Sequence, residues 1–135
     1  MDKDTRNVVA FMLRLMAGVM YKNATRQDDM RIFAEAAGRP GAERERRTAR
    51  DMAKGAAEAL NRVAQAVNEH GEGMTCDDSP LWNLLGQFEP ESETYKRAEH
   101  AIRRLYKRRD RDARRRDARM RREWREHESR RRRRM

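Results

Sequence analysis

The arginines near the carboxyl end of the chain are the residues with the clearest capacity for chemistry. Residues 95–135 contain 20 Lys and Arg against 7 Asp and Glu, a net charge of +13. Arg accounts for 28 of the 33 basic residues in the whole chain. A guanidinium group presents a planar fork of donors that matches phosphate oxygens and stacks on flat rings. The segment therefore predicts binding to a polymer of negative charge.

The remainder of the chain carries no such surplus. Residues 1–94 hold 13 basic and 16 acidic side chains, and seven of these acids lie in residues 69–94, which contain no Lys or Arg. A charged helix that serves only its own solubility would be close to charge balance, because like charges repel. The asymmetry favours nucleic acid as the partner, with an acidic protein surface as the alternative.

A set of residues in this segment is predicted to form the nucleic-acid contacts. Arginines would bind phosphates, and a Trp would stack on an exposed base for roughly 1–3 kcal/mol. Guanidinium–phosphate contacts read no base sequence, so no sequence preference is predicted. The predicted residues are Arg108, Arg109, Arg111, Arg114, Arg115, Arg116, Arg119, Arg121, Arg122, Trp124, Arg125, Arg130, Arg131, Arg132, Arg133 and Arg134.

One short stretch bears on the kind of nucleic acid. The run Arg121-Arg122-Glu123-Trp124-Arg125-Glu126 resembles the arginine-rich RNA-binding helices of retroviral Rev-type and phage antiterminator proteins. In those families one Arg-studded helix, often with a Trp, lies in a widened RNA groove. The resemblance is mostly compositional and covers a small part of the chain. It implies a slight preference for RNA over DNA, at a bulge or loop where the groove is open.

Catalytic and cofactor chemistry find little support in the residues. Cys76 is the only cysteine, so no internal disulfide can form, and the nearby groups of interest are His70, Asp77 and Asp78. The chain has no Gly-rich phosphate loop, no G-x-S-x-G and no C-x-x-C or H-x-x-x-H spacing. We predict a protein that is not an enzyme and that carries no metal and no cofactor.

The N-terminal part of the sequence bears on where in the cell the protein is found. The apolar run 8–20 includes Arg14 and is shorter than the roughly 20 residues that a membrane span needs. Neither a positive start nor a small-residue cleavage site indicates a signal peptide. We therefore expect a cytoplasmic protein without a membrane partner.

The elements that position the basic residues are predicted to be helices. Charged residues make up 41% of the chain and apolar residues 37%, so any core must be small. Thr5 is expected to cap the first helix, and Thr25 with Asp28 has the spacing of a capping box for the second. Apolar residues at helical spacing, with Gly and Pro breaks between them, predict helices over 5–22, 26–37 and 42–70, a short helix from Ser79-Pro80, and a last helix from near Ser92 or Thr94.

The predicted fold is a small all-α bundle from which a long, Arg-rich C-terminal helix extends. Residues 1–94 would form the helical body, including the acidic segment 69–94. Residues 95–135 would form the last helix, packed on the core to about residue 106 and continuing as a basic arm. Acids four residues before bases would support that arm in solvent, namely Asp110–Arg114, Asp112–Arg116, Asp117–Arg121 and Glu126–Arg130.

The long helix 42–70 raises the question of assembly. Its apolar positions alternate spacings of 4 and 3 and form a seam of small residues: Ala49, Ala53, Ala56, Leu60, Val63 and Val67. This seam would form either the core of one chain or the interface of a homodimer. The predicted function is that of a non-catalytic, nucleic-acid-binding accessory or regulatory protein. The alternative is an assembly chaperone, scaffold or inhibitor, and the style of the sequence suggests a phage or mobile element.

Overall fold

The computed structural model describes residues 1–73 and 79–134, and the regular elements within these ranges are all helical. The predicted all-α fold with a long C-terminal helix is confirmed. In chain order the elements are α1 (Lys3–Ala36), α2 (Pro40–His70), one turn of 3₁₀ helix (Gly71–Gly73), α3 (Ser79–Leu85) and α4 (Glu93–Arg134).

The first helix is longer than predicted. Separate helices over 5–22 and 26–37 were expected, but α1 runs through both ranges without a break. The Thr25 hydroxyl donates to the Tyr21 carbonyl oxygen at 3.1 Å, which is the bond of a Thr inside a helix rather than of a cap. Ala24 is buried in the same turn. Tertiary packing therefore overrides the local capping signal at this position.

Side-chain caps begin both α1 and α4. Asp2, rather than the predicted Thr5, caps α1, and its carboxylate accepts the Thr5 backbone N–H at 2.7 Å. The Ser92 hydroxyl accepts the Tyr95 backbone N–H at 3.1 Å, so the predicted start of the last helix is confirmed. Each cap satisfies an N–H group that would otherwise have no partner in the first helical turn.

A tight turn folds α1 and α2 into a hairpin. Gly38 takes a left-handed conformation with φ of 67°. The Gly38 N–H donates to the Glu35 carbonyl and the Arg39 N–H to the Ala34 carbonyl, at 3.0 and 2.9 Å. These two bonds form a Schellman motif, which ends a helix at a residue that favours Gly. Pro40 then opens α2, where its missing N–H costs nothing.

The buried face of α2 differs from the predicted seam at two positions. Ala56 is exposed and the Val63 side chain is 51% exposed. The buried face keeps the alternating spacing of 4 and 3, but with Ala57 and Ala64 in place of Ala56 and Val63. Ala53, Ala57, Ala64 and Val67 are buried, and Leu60 is half-buried. This face packs on α1 within one chain, and a homodimer through the seam stays a prediction.

The core lies where one end of the hairpin meets α3 and α4. Buried residues from all four helices form one cluster, and its largest fully buried side chains are Met12, Leu81, Ile102 and Leu105. Trp82, next to the buried Leu81, has a side chain that is 47% exposed. Its ring stacks on Tyr106 with the centroids 6.0 Å apart.

Helices α1 and α4 run in opposite directions. The Arg97 guanidinium lies over the Phe11 ring, and Arg108, three turns later in α4, lies beside Asp4 near the start of α1. Leu105 is the last buried residue of α4. The second half of α4 therefore leaves the core at the end where α1 begins, and the hairpin tip leaves it at the other.

Candidate nucleic-acid interface

Helix α4 continues well beyond the core because nothing in its sequence interrupts it. Residues 93–134 contain no Gly and no Pro, and Arg and Ala are good helix formers. At 1.5 Å per residue, its 42 residues extend about 63 Å. From residue 110 onward almost every side chain is exposed. We call this outer part, residues 110–134, the arm.

Ion pairs at a spacing of four residues support the arm only in part. Of the four predicted pairs, Asp110–Arg114 forms at 3.2 Å. Within the described residues the other three predicted pairs do not form. Glu128–Arg132, at 3.9 Å, was not predicted. Exposed pairs of this kind contribute roughly 0.2–0.5 kcal/mol each, so helix propensity remains important to the arm.

Two of the predicted phosphate ligands contact the body at the root of the arm. Arg108 lies 3.5 Å from the Asp4 carboxylate. Arg109 donates to the buried Thr5 hydroxyl at 2.7 Å, and its guanidinium lies over the Tyr106 ring. These contacts fix the direction in which the arm leaves the body.

The arrangement of basic residues around α4 forms one continuous surface. Residues three, four and seven apart share a face of an α-helix. Ten exposed basic side chains follow this spacing on the side away from the core, and Ala118 is the one uncharged position among them. We call this surface the basic face: Arg104, Lys107, Arg108, Arg111, Arg114, Arg115, Arg119, Arg121, Arg122 and Arg125.

The acidic residues of α4 lie along the edges of the basic face. Asp112, seven residues after Leu105, lines one shallow groove with Arg115, Arg119 and Arg122. Asp110 pairs with Arg114 at the other edge, and Asp117 is seven residues further along on that edge. The basic face is therefore bordered by carboxylates but has none along its centre.

Two members of the basic face were not among the predicted residues. Arg104 and Lys107 lie in the part of α4 that packs on the core, yet both side chains are exposed. They are seven residues before Arg111 and Arg114, and this spacing is the signal by which the sequence could have identified them. The basic face thus begins on the body and spans about 32 Å to Arg125.

Several predicted residues fall outside this face. Arg116 lies at its edge, where it lines one shallow groove with Arg115, Arg119 and Arg122. Arg132 and Arg133 return to the basic face, but Glu126 and Ser129 come between. The last exposed arginines, Arg130, Arg131 and Arg134, line a separate shallow groove together with His127.

Trp124 is also outside the basic face. It is seven residues from Asp117 and 14 from Asp110, so it shares their side of the helix. Its side chain is 65% exposed, as is that of Met120 one turn earlier. Tyr106, at the root of the arm, is covered by Trp82 and Arg109. The structure therefore brings the arginines together without placing an aromatic ring among them.

Other kinds of site were sought in the described part of the chain. In residues 1–73 and 79–134, no cluster of three or more His, Cys, Asp or Glu side chains could hold a metal ion. None of the described helices has the length and apolar character to cross a bilayer. Cys76 and Asp77 lie outside the described residues. Comparisons with protein-family models, with curated proteins and with solved structures found no match to this chain.

Proposed function

We propose that this chain is a non-catalytic nucleic-acid-binding protein that contacts duplex phosphates through the basic face of α4. The observation that carries the proposal is the continuity of that face, which holds ten exposed basic residues between Arg104 and Arg125. Carboxylates lie only at its edges, where Asp110 pairs with Arg114 and Asp4 with Arg108. A duplex presents one phosphate charge per roughly 1.7 Å of axis, so a straight basic surface about 32 Å long faces many phosphates at once. Each neutralised phosphate releases counterions, which drives binding.

The dimensions of the arm suit a groove. An α-helix with its side chains is about 10–12 Å across, close to the roughly 12 Å width of the B-DNA major groove. The major groove of regular A-form RNA is too narrow, but a bulge or loop opens it. Because the arm resembles arginine-rich RNA-binding helices, we favour RNA with such a widened groove over DNA.

The test compares two triple variants of equal charge. Replacing Arg115, Arg122 and Arg125 with Gln removes three charges from the basic face. Replacing Arg130, Arg131 and Arg134 with Gln removes three from the separate groove near the end of the helix. Fluorescence anisotropy of the full-length protein with a labelled duplex, over a series of salt concentrations, gives the affinity and its salt dependence. The on-face variant should bind about tenfold or more weakly, and its log–log salt slope should be shallower by about 3. Equal losses in both variants would contradict a binding face.

The type of nucleic acid is tested with the same protein. A bulged RNA hairpin, the same hairpin without the bulge and a DNA duplex of matched length are titrated under one salt condition. We expect the bulged RNA to bind most tightly, because only its groove is both A-form and open. Equal affinity for all three would leave duplex binding intact and remove the preference for RNA.

A second candidate function is favoured by Met120 and Trp124. Both are large apolar side chains, 65% exposed, beside a strongly basic surface. Aromatic residues, Met and Arg are enriched in protein–protein interfaces. An arm that binds an acidic protein surface would use the side of α4 that carries Met120 and Trp124. Purification with and without nuclease distinguishes the candidates, because bound nucleic acid would be lost on nuclease treatment and a protein partner would be retained.

A further inference from the structure

A second cluster of basic side chains lies near the end of α4, where one groove is lined by His127, Arg130, Arg131 and Arg134. The three arginines follow the histidine by three, four and seven residues, so all four side chains share one side of the helix. Each of the four is exposed, and no other described element covers them. We call this set the terminal cluster.

The terminal cluster and the basic face lie on opposite sides of α4. Successive residues of an α-helix are about 100° apart around its axis. Arg125, the last residue of the basic face, is therefore about 160° away from His127, and Arg132, which returns to the basic face, is about 140° away. The outer end of the helix thus presents cations in two opposite directions.

The carboxylates near the terminal cluster leave it with a surplus of positive charge. Glu123, one turn before His127, faces the cluster from the same side of the helix. Glu126 and Glu128 are each about 100° from His127, and Glu128 lies 3.9 Å from Arg132, which is outside the cluster. One carboxylate therefore faces three guanidinium groups, and the cluster attracts an anion.

A phosphate group matches these donors. Each guanidinium presents a planar fork that fits two phosphate oxygens, and the imidazole adds one N–H donor when neutral and two when protonated. The four side chains line a single groove, so they converge on one phosphate rather than on several. The terminal cluster should therefore count as one phosphate contact, whereas the extended basic face makes many.

A duplex groove provides phosphates on both sides of an inserted helix. An α-helix with its side chains is about 10–12 Å across, and the B-DNA major groove is about 12 Å wide. Opposite sides of a helix in such a groove face the backbones of opposite strands. With the basic face along one strand, the terminal cluster faces the other.

We propose that the terminal cluster is a separate phosphate site, which binds the strand opposite to the one that the basic face follows. The inference rests on the proposed binding of a duplex and specifies its geometry, with the end of α4 held between two backbones. A single strand forms no groove with two such walls. The site should therefore contribute to binding a duplex more than to binding a single strand.

The histidine gives this site a dependence on pH. An imidazole side chain ordinarily takes up a proton near pH 6.5. A phosphate bound beside it favours the protonated form through its charge and through the second N–H donor. Binding of a duplex at the terminal cluster should therefore take up a proton and become tighter as the pH falls.

Fluorescence anisotropy of the full-length protein with a labelled duplex, and with one of its single strands, tests the geometry. In the terminal variant Gln replaces Arg130, Arg131 and Arg134, and in the basic-face variant it replaces Arg115, Arg122 and Arg125. The terminal variant should bind the duplex about threefold more weakly, with a log–log salt slope shallower by about 1, because one phosphate contact is lost. Its preference for duplex over single strand should fall, whereas the basic-face variant should keep that preference. Far-UV circular dichroism establishes that both variants are folded.

The same titration at pH 8 and pH 6 tests the histidine. The natural sequence should bind the duplex about threefold more tightly at pH 6, and His127→Gln should abolish this gain. His70→Gln is the matched control, because His70 lies on α2, 3.7 Å from Glu69, and it should keep the gain. His100→Gln, on the part of α4 that packs on the core, should keep it as well.

Three results would overturn the terminal site while leaving the proposed function intact. They are duplex binding that is independent of pH, a gain at pH 6 that disappears in His100→Gln instead of His127→Gln, and a terminal variant that keeps the preference for duplex. A natural sequence that binds no duplex at either pH would overturn both proposals together.

Discussion

At the scale of single residues, Gly55 in the middle of α2 and Gly71 at its C-terminal end differ in the space around them. The Arg6 side chain lies across the end of α2, donating to the Asn68 carbonyl oxygen at 3.0 Å and reaching to within 3.5 Å of the Glu72 carboxylate. A Cβ at Gly71 would lie 2.8 Å from Cδ of Arg6. At Gly55, in the middle of the helix, a Cβ would meet no atom within 4 Å. The closeness of Arg6 therefore requires Gly at one position only.

We expect Gly55→Ala and Gly71→Ala to change stability in opposite directions. Gly55→Ala should stabilise the fold by about 0.5–1 kcal/mol, because Ala has the higher helix propensity and the unfolded chain loses freedom. Gly71→Ala should destabilise it, because Arg6 must move and lose its hydrogen bond to Asn68. Chemical denaturation followed by circular dichroism measures both. A stabilising Gly71→Ala would show that the contact with Arg6 adapts freely.

Single-residue signals explain part of what sequence reasoning achieved. Ala98, Ile102 and Leu105 recur at helical spacing, which is the signal that predicts the last helix, and all three are buried in α4. Local signals wrongly predicted a helix break before Thr25. Packing on α2 keeps this turn helical, and the Thr25 hydroxyl donates to the Tyr21 carbonyl one turn earlier. A local cap and a helix interior use the same residue types.

At the scale of elements, α2 shows a second limit. Alanines are so frequent in α2 that two different sets of positions fit the alternating spacing of 4 and 3. One set includes Ala56 and the other Ala57 and Ala64, and identical side chains do not distinguish them. The choice between them depends on the position of α1. On α4, by contrast, the basic face could have been traced back to Arg104 from periodicity alone. The predicted list of contacts was compositional, and so it included arginines on every side.

The outer half of the hairpin is held by charges rather than by a core. Asp28 of α1 accepts from Arg31 at 2.9 Å and from Arg50 of α2 at 2.7 Å. Hydrogen bonds from Arg31 and then Arg50 hold the pKa of the Asp28 carboxyl below its ordinary value of 3.8. The same partner carboxylate raises the pKa of both arginines. One carboxylate thus joins the two helices beyond the reach of the apolar cluster.

We expect the hairpin tip to loosen in acid. A lowered pKa in the folded chain means that Asp28 contributes stability above about pH 3.8, and that this contribution is lost as the pH falls through the lowered value. Asp28→Asn should lose it at every pH. Amide hydrogen exchange of residues 24–36 and 40–54 at pH 7 should therefore be faster in Asp28→Asn than in the matched control Asp29→Asn. Thermal unfolding should show the difference between the variants shrinking toward pH 3. A difference independent of pH would exclude the ionised carboxylate as its cause.

Helix α4 consists of two parts with different sources of stability. Ile102 is fully buried, whereas Met120, 18 residues later in the same helix, is 65% exposed. Ile102→Ala should destabilise the protein by about 2–5 kcal/mol through lost burial and a cavity. Met120→Ala should change the free energy of unfolding by less than about 0.5 kcal/mol. Urea denaturation measures both, and a large cost for Met120→Ala would mean that the arm packs on the body of its own chain.

At the scale of the whole molecule, one small core carries projections at both ends. The hairpin tip extends from one end and the arm from the other, and Glu89, Glu91 and Glu93 lie at the end away from the arm. Asp110–Arg114 and Glu128–Arg132 form ion pairs within the arm, but its arginines outnumber its carboxylates. We propose an external polyanion as the partner for the remaining arginines.

The separation predicts an extended particle whose length does not depend on salt. A compact globule of 135 residues would have a radius of gyration of about 14 Å. Helix α4 alone is about 63 Å long, so small-angle X-ray scattering of the dilute monomer should give a much larger radius and a maximum dimension above about 63 Å. If the arm instead folded back on Glu89, Glu91 and Glu93, screening would release it, and the particle would be short at low salt and long at high salt. We expect the same long particle at both salt concentrations, because the continuous helix keeps the arm away from these three carboxylates.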